Sequence, residues 1–514
     1  MTDTFDYVIV GAGSAGSPLA NRLSADPSVS VLLLEAGAEA KSPNIAIPAA
    51  FSELFKSKYD WNYETTPQPG LDGRTVYWPR GKVLGGSSAM NAMMWVPGFA
   101  ADYDTWAELA GPQWSYRALA STFASTYVSV QEQRDPRELT GAFLDAVQQA
   151  GYQVEIPNGE EPNGFCSTRV TQSNGTRHSA ARAYLAPIRK KRANLTIRTE
   201  SQATRVLFAG RTATGVEYRA KDGSLLTAHA SREVILCGGA VNTPQLLMLS
   251  GIGDPEHLRS VGIDVVAESS EVGANMRDHL VSLFVIGVDG ETLKDATSIS
   301  QLVRFLLTRR GMLTSNIAEA YGFVRTDPSL ALPDVEILFA PVAYVEEGLN
   351  GIPADGLSAG PILLRPESRG EIRLSTADPL AKPIVEPRYL SDPEGSDRAT
   401  MLRGLDMTLD ILSTPAIKKF ATGAYIAPMG GEKVSREDLL IASLEQTSHT
   451  LYHPTSTARM GLDDASVVDP ELRVRGVHGL RVADASVMPE IIRGHTHAPS
   501  VVIGERAAQF IAKG

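Results

Sequence analysis

The N-terminal stretch carries a strand, a glycine-rich turn, a helix and a second strand in the order that a nucleotide-binding βαβ unit requires. Phe5-Asp6-Tyr7-Val8-Ile9-Val10 reads as a buried strand, runs into Gly11-Ala12-Gly13-Ser14-Ala15-Gly16, and is followed by a helical stretch from Pro18 to Leu23. A second apolar run, Val29 to Leu34, then ends at Glu35. The glycines let backbone N–H groups approach a pyrophosphate at the helix N-terminus, where the helix dipole favours negative charge. The acid at the end of the second strand accepts hydrogen bonds from ribose hydroxyls. Strand, turn, helix, strand and acid all fall in order, so the reading is a dinucleotide site on an α/β fold.

Composition narrows the partners. At 514 residues the chain is long enough for two or more domains with substantial cores. A formal net charge of -11 argues against a nucleic-acid polyanion and for a small-molecule substrate. Met1 to Thr4 leaves no room for a signal peptide, and the apolar stretch Val234 to Ile252 is broken by Asn242-Thr243-Pro244-Gln245 and does not read as a membrane span. A cytoplasmic location is the expectation. Cys166 and Cys237 are the two cysteines, too few for a disulfide framework and without metal-ligand spacing, so both read as buried thiols.

The remaining chain divides unevenly. All five tryptophans, Trp61, Trp78, Trp95, Trp106 and Trp114, lie in one segment with Tyr59, Tyr63, Tyr77 and Tyr103. They suit either core packing or the aromatic wall of an apolar pocket. Residues 195–237 return to β-like runs, and 280–450 mix strands such as Val335-Glu336-Ile337-Leu338-Phe339 with Pro- and Gly-rich connectors, as a second domain spliced into the first would. Near the C-terminus, Gly479 to Ser486 reads as a strand running into a turn, and Ala498-Pro499 opens a last amphipathic helix. Four of the nine histidines, His449, His453, His495 and His497, fall in this part of the chain. No third ligand at suitable spacing accompanies them, so no metal is expected.

Several blocks together resemble one family. Pro79 to Asn91 (PRGKVLGGSSAMN) is similar to the first signature of the glucose-methanol-choline (GMC) flavoproteins, and Gly239 to Gly253 is similar to the second. Val272 to His279, His453-Pro454, Asp484-Ala485-Ser486 and His495-Thr496-His497 also match, in order and over essentially the whole chain, closest to the choline-dehydrogenase-like branch. The resemblance implies a Rossmann-like FAD-binding domain (residues 1–150, 195–285 and 456–514) with an inserted α+β substrate domain (151–194 and 286–455) on a mostly antiparallel sheet. Carried over by motif, Gly11, Gly13, Ser14, Ala15 and Gly16 would hold the FAD pyrophosphate, and Glu35 with Ala36 the ribose. Val83, Gly86, Asn91 and Met93 would line the flavin, Val206 would meet the adenine through its backbone, and Asp484 with Ala485 would reach the ribityl-phosphate region. Relatives with covalent flavin can carry a histidine where this chain has Met90, which implies a non-covalent cofactor.

By the same resemblance, His453 and His495 are the catalytic pair. His453 would take the hydroxyl proton of a primary alcohol, His495 would orient the alkoxide, and hydride would pass to flavin N5. The last helix N-terminus with His497 would stabilise charge on the reduced ring. Glu319 aligns with a carboxylate that meets the trimethylammonium group in choline-active relatives, and a buried structural glutamate is the competing reading. Aliphatic, aromatic and choline-like alcohols stay open, as do oxygen, a quinone or a protein carrier as electron acceptor. The alternatives are a hydroxynitrile lyase on the same fold, a flavin photoenzyme and a non-enzymatic flavin-binding protein.

Overall fold

The computed structural model describes residues 3–513, and its chain weaves between two sheets. β1 (Asp3–Val10), α1 (Gly16–Leu23) and β2 (Val31–Leu34) open the first. α2 (Glu138–Gln149) and β3 (Phe165–Ser167) belong to the second. The chain returns to the first sheet with β4 (Leu195–Arg198), β5 (Gln202–Ala209), β6 (Thr212–Arg219) and β7 (Leu225–Leu236), followed by α3 (Gly239–Leu249). It crosses again through β8 (Leu280–Val281), β9 (Phe284–Val288), α4 (Ile299–Thr308), β10 (Ala320–Val324), β11 (Val335–Ala340) and β12 (Gly356–Leu363). α5 (Ser396–Leu412), β13 (Ala421–Ala427) and β14 (His449–Thr450) complete that side, and β15 (Leu480–Val482) and α6 (His497–Ile511) close the first.

The first sheet runs β4-β2-β1-β7-β6-β5, with β15 also paired to β7. β4, β2, β1, β7 and β15 are mutually parallel, and β5-β6-β7 form an antiparallel meander on one edge. The second half of β1 and all of β2 are continuous apolar runs, as strands of a parallel sheet covered on both faces are. Tyr7 to Val10 and Val31 to Leu34 are accordingly buried. All pairings within the second sheet, β13-β9-β12-β11-β10-β3 with β8 and β14 attached, are antiparallel. Its core combines Phe143 of α2, Phe165, Phe339 and the α5 residues Met401, Leu405 and Leu409.

The α/β fold with an inserted antiparallel sheet is thus present, but the chain changes sides elsewhere than expected. α2, placed before the 150 boundary, packs into the second core through Leu139, Phe143, Ala146 and Val147. β8 and β9 begin at Leu280 and Phe284, ahead of the 285 boundary. The hairpin Glu371–Arg373 with Ile384–Glu386 lies inside the expected substrate segment, yet its Ile372 and Val385 pack into the first core. Three of the tryptophans, Trp78, Trp106 and Trp114, are fully buried core residues. α1 begins two residues before Pro18, and α6 begins at His497, so Pro499 falls within its first turn, where a missing N–H still costs no intrahelical bond.

Candidate active site

A cavity of about 310 Å³ runs along the carboxyl ends of β1 and β2 and on toward the second sheet. Its nucleotide-like end is built mostly of backbone. Gly11, Gly13, Ser14, Ala15, Glu35 and Ala36 line it, and Gly86, Asn91, Met93, Asp484, Ala485 and His497 line its middle. Among the described residues, no group accepts from the backbone N–H of Gly13 or Ser14, which precede the α1 N-terminus. Those free donors and the helix dipole make an anion seat. Gly13 has room for it, since a Cβ added there would come no nearer to another residue than 3.9 Å.

Gly16 does a different job from the one expected. It does not line the cavity, and a Cβ there would lie 1.9 Å from the Gly11 carbonyl oxygen, so it serves the close packing of turn against helix. Glu35 Oε2 accepts from the Ala12 N–H at 3.0 Å and Oε1 from the Gly37 N–H at 2.8 Å. Burial outweighs those two bonds and pushes its carboxyl up to about 7. Asp484 ties three segments together. Its Oδ2 accepts from the Gly239 N–H and the Thr243 hydroxyl, and its Oδ1 from the Ser486 N–H.

Two expected cofactor contacts lie outside the wall. Val83 is fully buried, packs with Phe51 and Leu54, and its carbonyl accepts from Gly86 N–H. The Val206 N–H donates to Ser250 Oγ at 2.8 Å, and the strand position that reaches the cavity is Ala203, beside Ser201 and Gln202. Glu319 is also displaced from its expected role. It has no exposure, its Oε2 accepts from the Arg137 N–H and the Thr140 hydroxyl, and its Oε1 accepts from the Ser315 hydroxyl. With both oxygens engaged inside the second core, it fixes the Ser315 loop against α2 and meets no cavity.

The other end of the cavity is histidine chemistry. The rings of His453 and His495 meet edge to face with centroids 4.7 Å apart, and both line the cavity. Two residues not marked in the sequence complete the array. His279, at the end of the Val272–His279 block, places Nδ1 2.9 Å from His453 Nδ1 and Nε2 3.1 Å from the Leu364 carbonyl oxygen. Glu336 of β11 places its carboxylate 3.1 Å from His495 Nε2. A carbonyl can only accept, so neutral His279 carries its proton on Nε2 and accepts at Nδ1. His453 therefore donates from Nδ1–H and keeps a lone pair on Nε2. Burial, then the crowding of His495, His279 and Arg80, which disfavours adding a positive charge among them, holds the His453 imidazole well below the usual histidine range, and burial holds His279 at about 3. The main chain of His453 is pinned as well, because Asp278 Oδ1 accepts from its N–H at 2.7 Å.

His497 spans the two ends. Its Nδ1 sits 3.0 Å from Ser14 Oγ, its ring packs edge-on against Trp95, and its Nε2 is buried with no partner. Burial and the nearby Arg177 guanidinium lower its pKa to about 4, leaving a neutral imidazole at the wall. Apolar side chains close the histidine end: Phe51, Phe55, Ile317, Leu338, Tyr344 and Tyr452. Of the tryptophans only Trp61 reaches the wall, so the aromatic face comes largely from residues other than the Trp-rich segment.

A parallel nucleotide sheet joined to a histidine-ended apolar cavity defines a flavin-dependent oxidoreductase class. The chain belongs to the GMC oxidoreductase family, whose N-terminal model matches residues 5–281 and whose C-terminal model matches residues 366–504. These are FAD-dependent oxidoreductases acting on CH–OH donors. It is 52% identical to an uncharacterized GMC-type oxidoreductase of Mycobacterium tuberculosis, over 98% of this chain and 99% of that one. It is 39% identical to an alcohol dehydrogenase [acceptor] of Pseudomonas putida, over 99% and 96%. Among solved structures it is similar to a formate oxidase of Aspergillus oryzae described for its FAD modification, with a TM-score of 0.91, 29% identity and coverage of 99% and 98%. The free donors at Gly13 and Ser14, the Glu35 acceptor and the unpartnered His497 Nε2 fit FAD laid along this cavity.

Proposed function

We propose that this chain oxidises a primary alcohol with an apolar substituent to the aldehyde, using non-covalently held FAD. The observation that carries this reading is the array Leu364 carbonyl, His279, His453, His495 and Glu336 at the apolar end of the cavity. FAD, when bound, supplies the hydride acceptor. Gly13, Ser14, Glu35, Ala203 and Asp484 would hold it, with Asn91, Met93 and His497 along its ring end. His453 Nε2 takes the hydroxyl proton, and a neutral imidazole in this role is typically worth about 10²–10⁴ in rate. Glu336 gives His495 a buried counter-charge, which suits an imidazole that steadies the developing alkoxide. Met90 lines the cavity and offers no nucleophile for a covalent flavin link, so acid precipitation should release the flavin into the supernatant.

Substrate character follows from what the wall lacks. The acids that line the cavity are Glu35, at the nucleotide end, and Asp484, at its middle; Glu336 lies behind the wall and is engaged by His495, so no free carboxylate faces a cationic substrate beside the histidines. Choline is the second reading, favoured by the rings of Phe51, Phe55, Tyr344 and Tyr452, since aromatic faces bind quaternary ammonium. The test is anaerobic mixing of the yellow protein with aliphatic, benzylic and amino alcohols while flavin absorbance is followed. Bleaching by aliphatic or benzylic alcohols but not choline is the expected result. Bleaching by choline alone would reverse the substrate assignment, and no bleaching by any alcohol would reject the redox reading in favour of a non-redox enzyme.

A further inference from the structure

Helix α4 is amphipathic in the wrong direction for a globular protein. Ile299, Leu302, Val303, Leu306 and Leu307 recur at the spacing of one helical face, and all five are exposed, from 38% for Leu302 to 82% for Ile299. Only Phe305 is buried. Large apolar stripes of this kind mark a surface that something else covers.

Charge says what covers it. From Ile299 to Ala318 the chain has Arg304, Arg309 and Arg310 and no acidic residue, in a protein whose net charge is -11. Arg310 is partly offset by Asp135 at 3.4 Å, while Arg304 is exposed and has no ion-pair partner among the described residues. Pairing of the helix with its own copy would gather Arg304, Arg309 and Arg310 of both copies with no acidic residue on either helix to offset them. An anionic lipid surface meets both demands, taking the apolar stripe among its acyl chains and the arginines among its headgroups.

We infer that α4 is an interfacial helix that lays this protein on anionic membranes. No helix among the described residues is long and apolar enough to cross a membrane, and a ten-residue helix of this pattern lies in the interface plane instead. Its position fits an exchange with the bilayer. Phe305 packs with Met312 and Leu313 on the cluster that includes Ile317, Ala340 and Tyr344, and those last three line the histidine end of the cavity. The membrane-facing side is therefore the side from which an apolar substrate or acceptor would reach that end.

The experiment is flotation of the full-length, FAD-loaded protein with vesicles of phosphatidylcholine, alone or containing a third phosphatidylglycerol. The protein should float with the anionic vesicles at low salt at least several-fold more than with the neutral ones. Floated protein should decline as salt approaches about 1 M, where the Debye length falls to about 3 Å. Leu306→Glu with Leu307→Glu should abolish flotation, and Arg304→Glu should remove the preference for anionic vesicles while leaving the stripe intact. Unchanged circular dichroism and flavin content establish that these surface variants are folded. Failure of the wild-type chain to float with anionic vesicles, or equal flotation of the leucine variants, overturns the inference. So does a dimer in light scattering that Leu306→Glu dissociates, because the stripe would then be an interface between copies.

Discussion

The two ends of the cavity are built by opposite means. At the nucleotide end one short continuous stretch, Gly11 to Glu35, supplies backbone donors, a helix N-terminus and an acid that leans on two more N–H groups. At the histidine end no two of the key groups are neighbours in sequence: His279 ends one loop, Glu336 lies in β11, Leu364 follows β12, and His453 and His495 sit on two further loops. The first is a local motif that a chain can carry from fold to fold. The second exists only when both sheets are assembled, and its tautomer depends on a carbonyl that no motif would flag.

That contrast can be broken at either end. The largest effect is expected from His453→Ala, which should slow alcohol-driven flavin reduction by at least about a hundredfold while leaving FAD bound. Anaerobic stopped-flow absorbance reads the rate and the visible spectrum reads the flavin, and loss of both together would show that the two ends are not separable. Gly16→Ala should do the converse. Its methyl group would meet the Gly11 carbonyl, a clash expected to cost about 1–3 kcal/mol and to weaken FAD binding by roughly tenfold or more, read by flavin content and melting temperature. Retention of full FAD affinity would mean that the turn relaxes freely.

The smallest effect sharpens the chemistry of the nucleotide end. Glu35 has its pKa raised to about 7 from 4.5, so without ligand it binds a proton that the unfolded chain releases, between about pH 4.5 and 7. Stability from this group is therefore fully present below pH 4.5 and falls as pH rises to 7. Ribose hydroxyls donate to the ionised form, so FAD binding should expel that proton. FAD affinity should rise with pH from about 5.5 to 8, by about tenfold for each unit that binding lowers the pKa. A flat titration of affinity against pH would show that the ribose does not bond Glu35.

Much of this was legible in the sequence, for a physical reason. The βαβ motif announces itself because turn, dipole and acid must sit at fixed spacing, and the chain placed Gly11, Gly13, Ser14, Ala15, Glu35 and Ala36 where the cavity is. Gly16, Val83 and Val206 share those motifs but face the packing side, a distinction that spacing does not encode. Glu319 read as a substrate contact by its alignment with a carboxylate of choline-active relatives, with a buried structural glutamate as the competing reading, and donors from Arg137, Thr140 and Ser315 favour the structural one. Glu336, an acid inside the apolar run Val335 to Phe339, belongs to no quoted motif, and what explains it is a histidine brought in from a distant loop. His279 stood in a quoted block, but its role rests on the long-range contact to His453.

The weave of the chain has a consequence for synthesis. β7 cannot gain its neighbour β15 until Leu480–Val482 has been made, although β1, its partner on the other side, is among the first residues translated. At about 5–20 residues per second the stretch from the end of β7 to β15 takes on the order of ten to fifty seconds. Throughout it the nascent protein holds an open strand edge and an unfinished cofactor seat, so capture of FAD belongs to the end of translation, and chaperone protection to its middle.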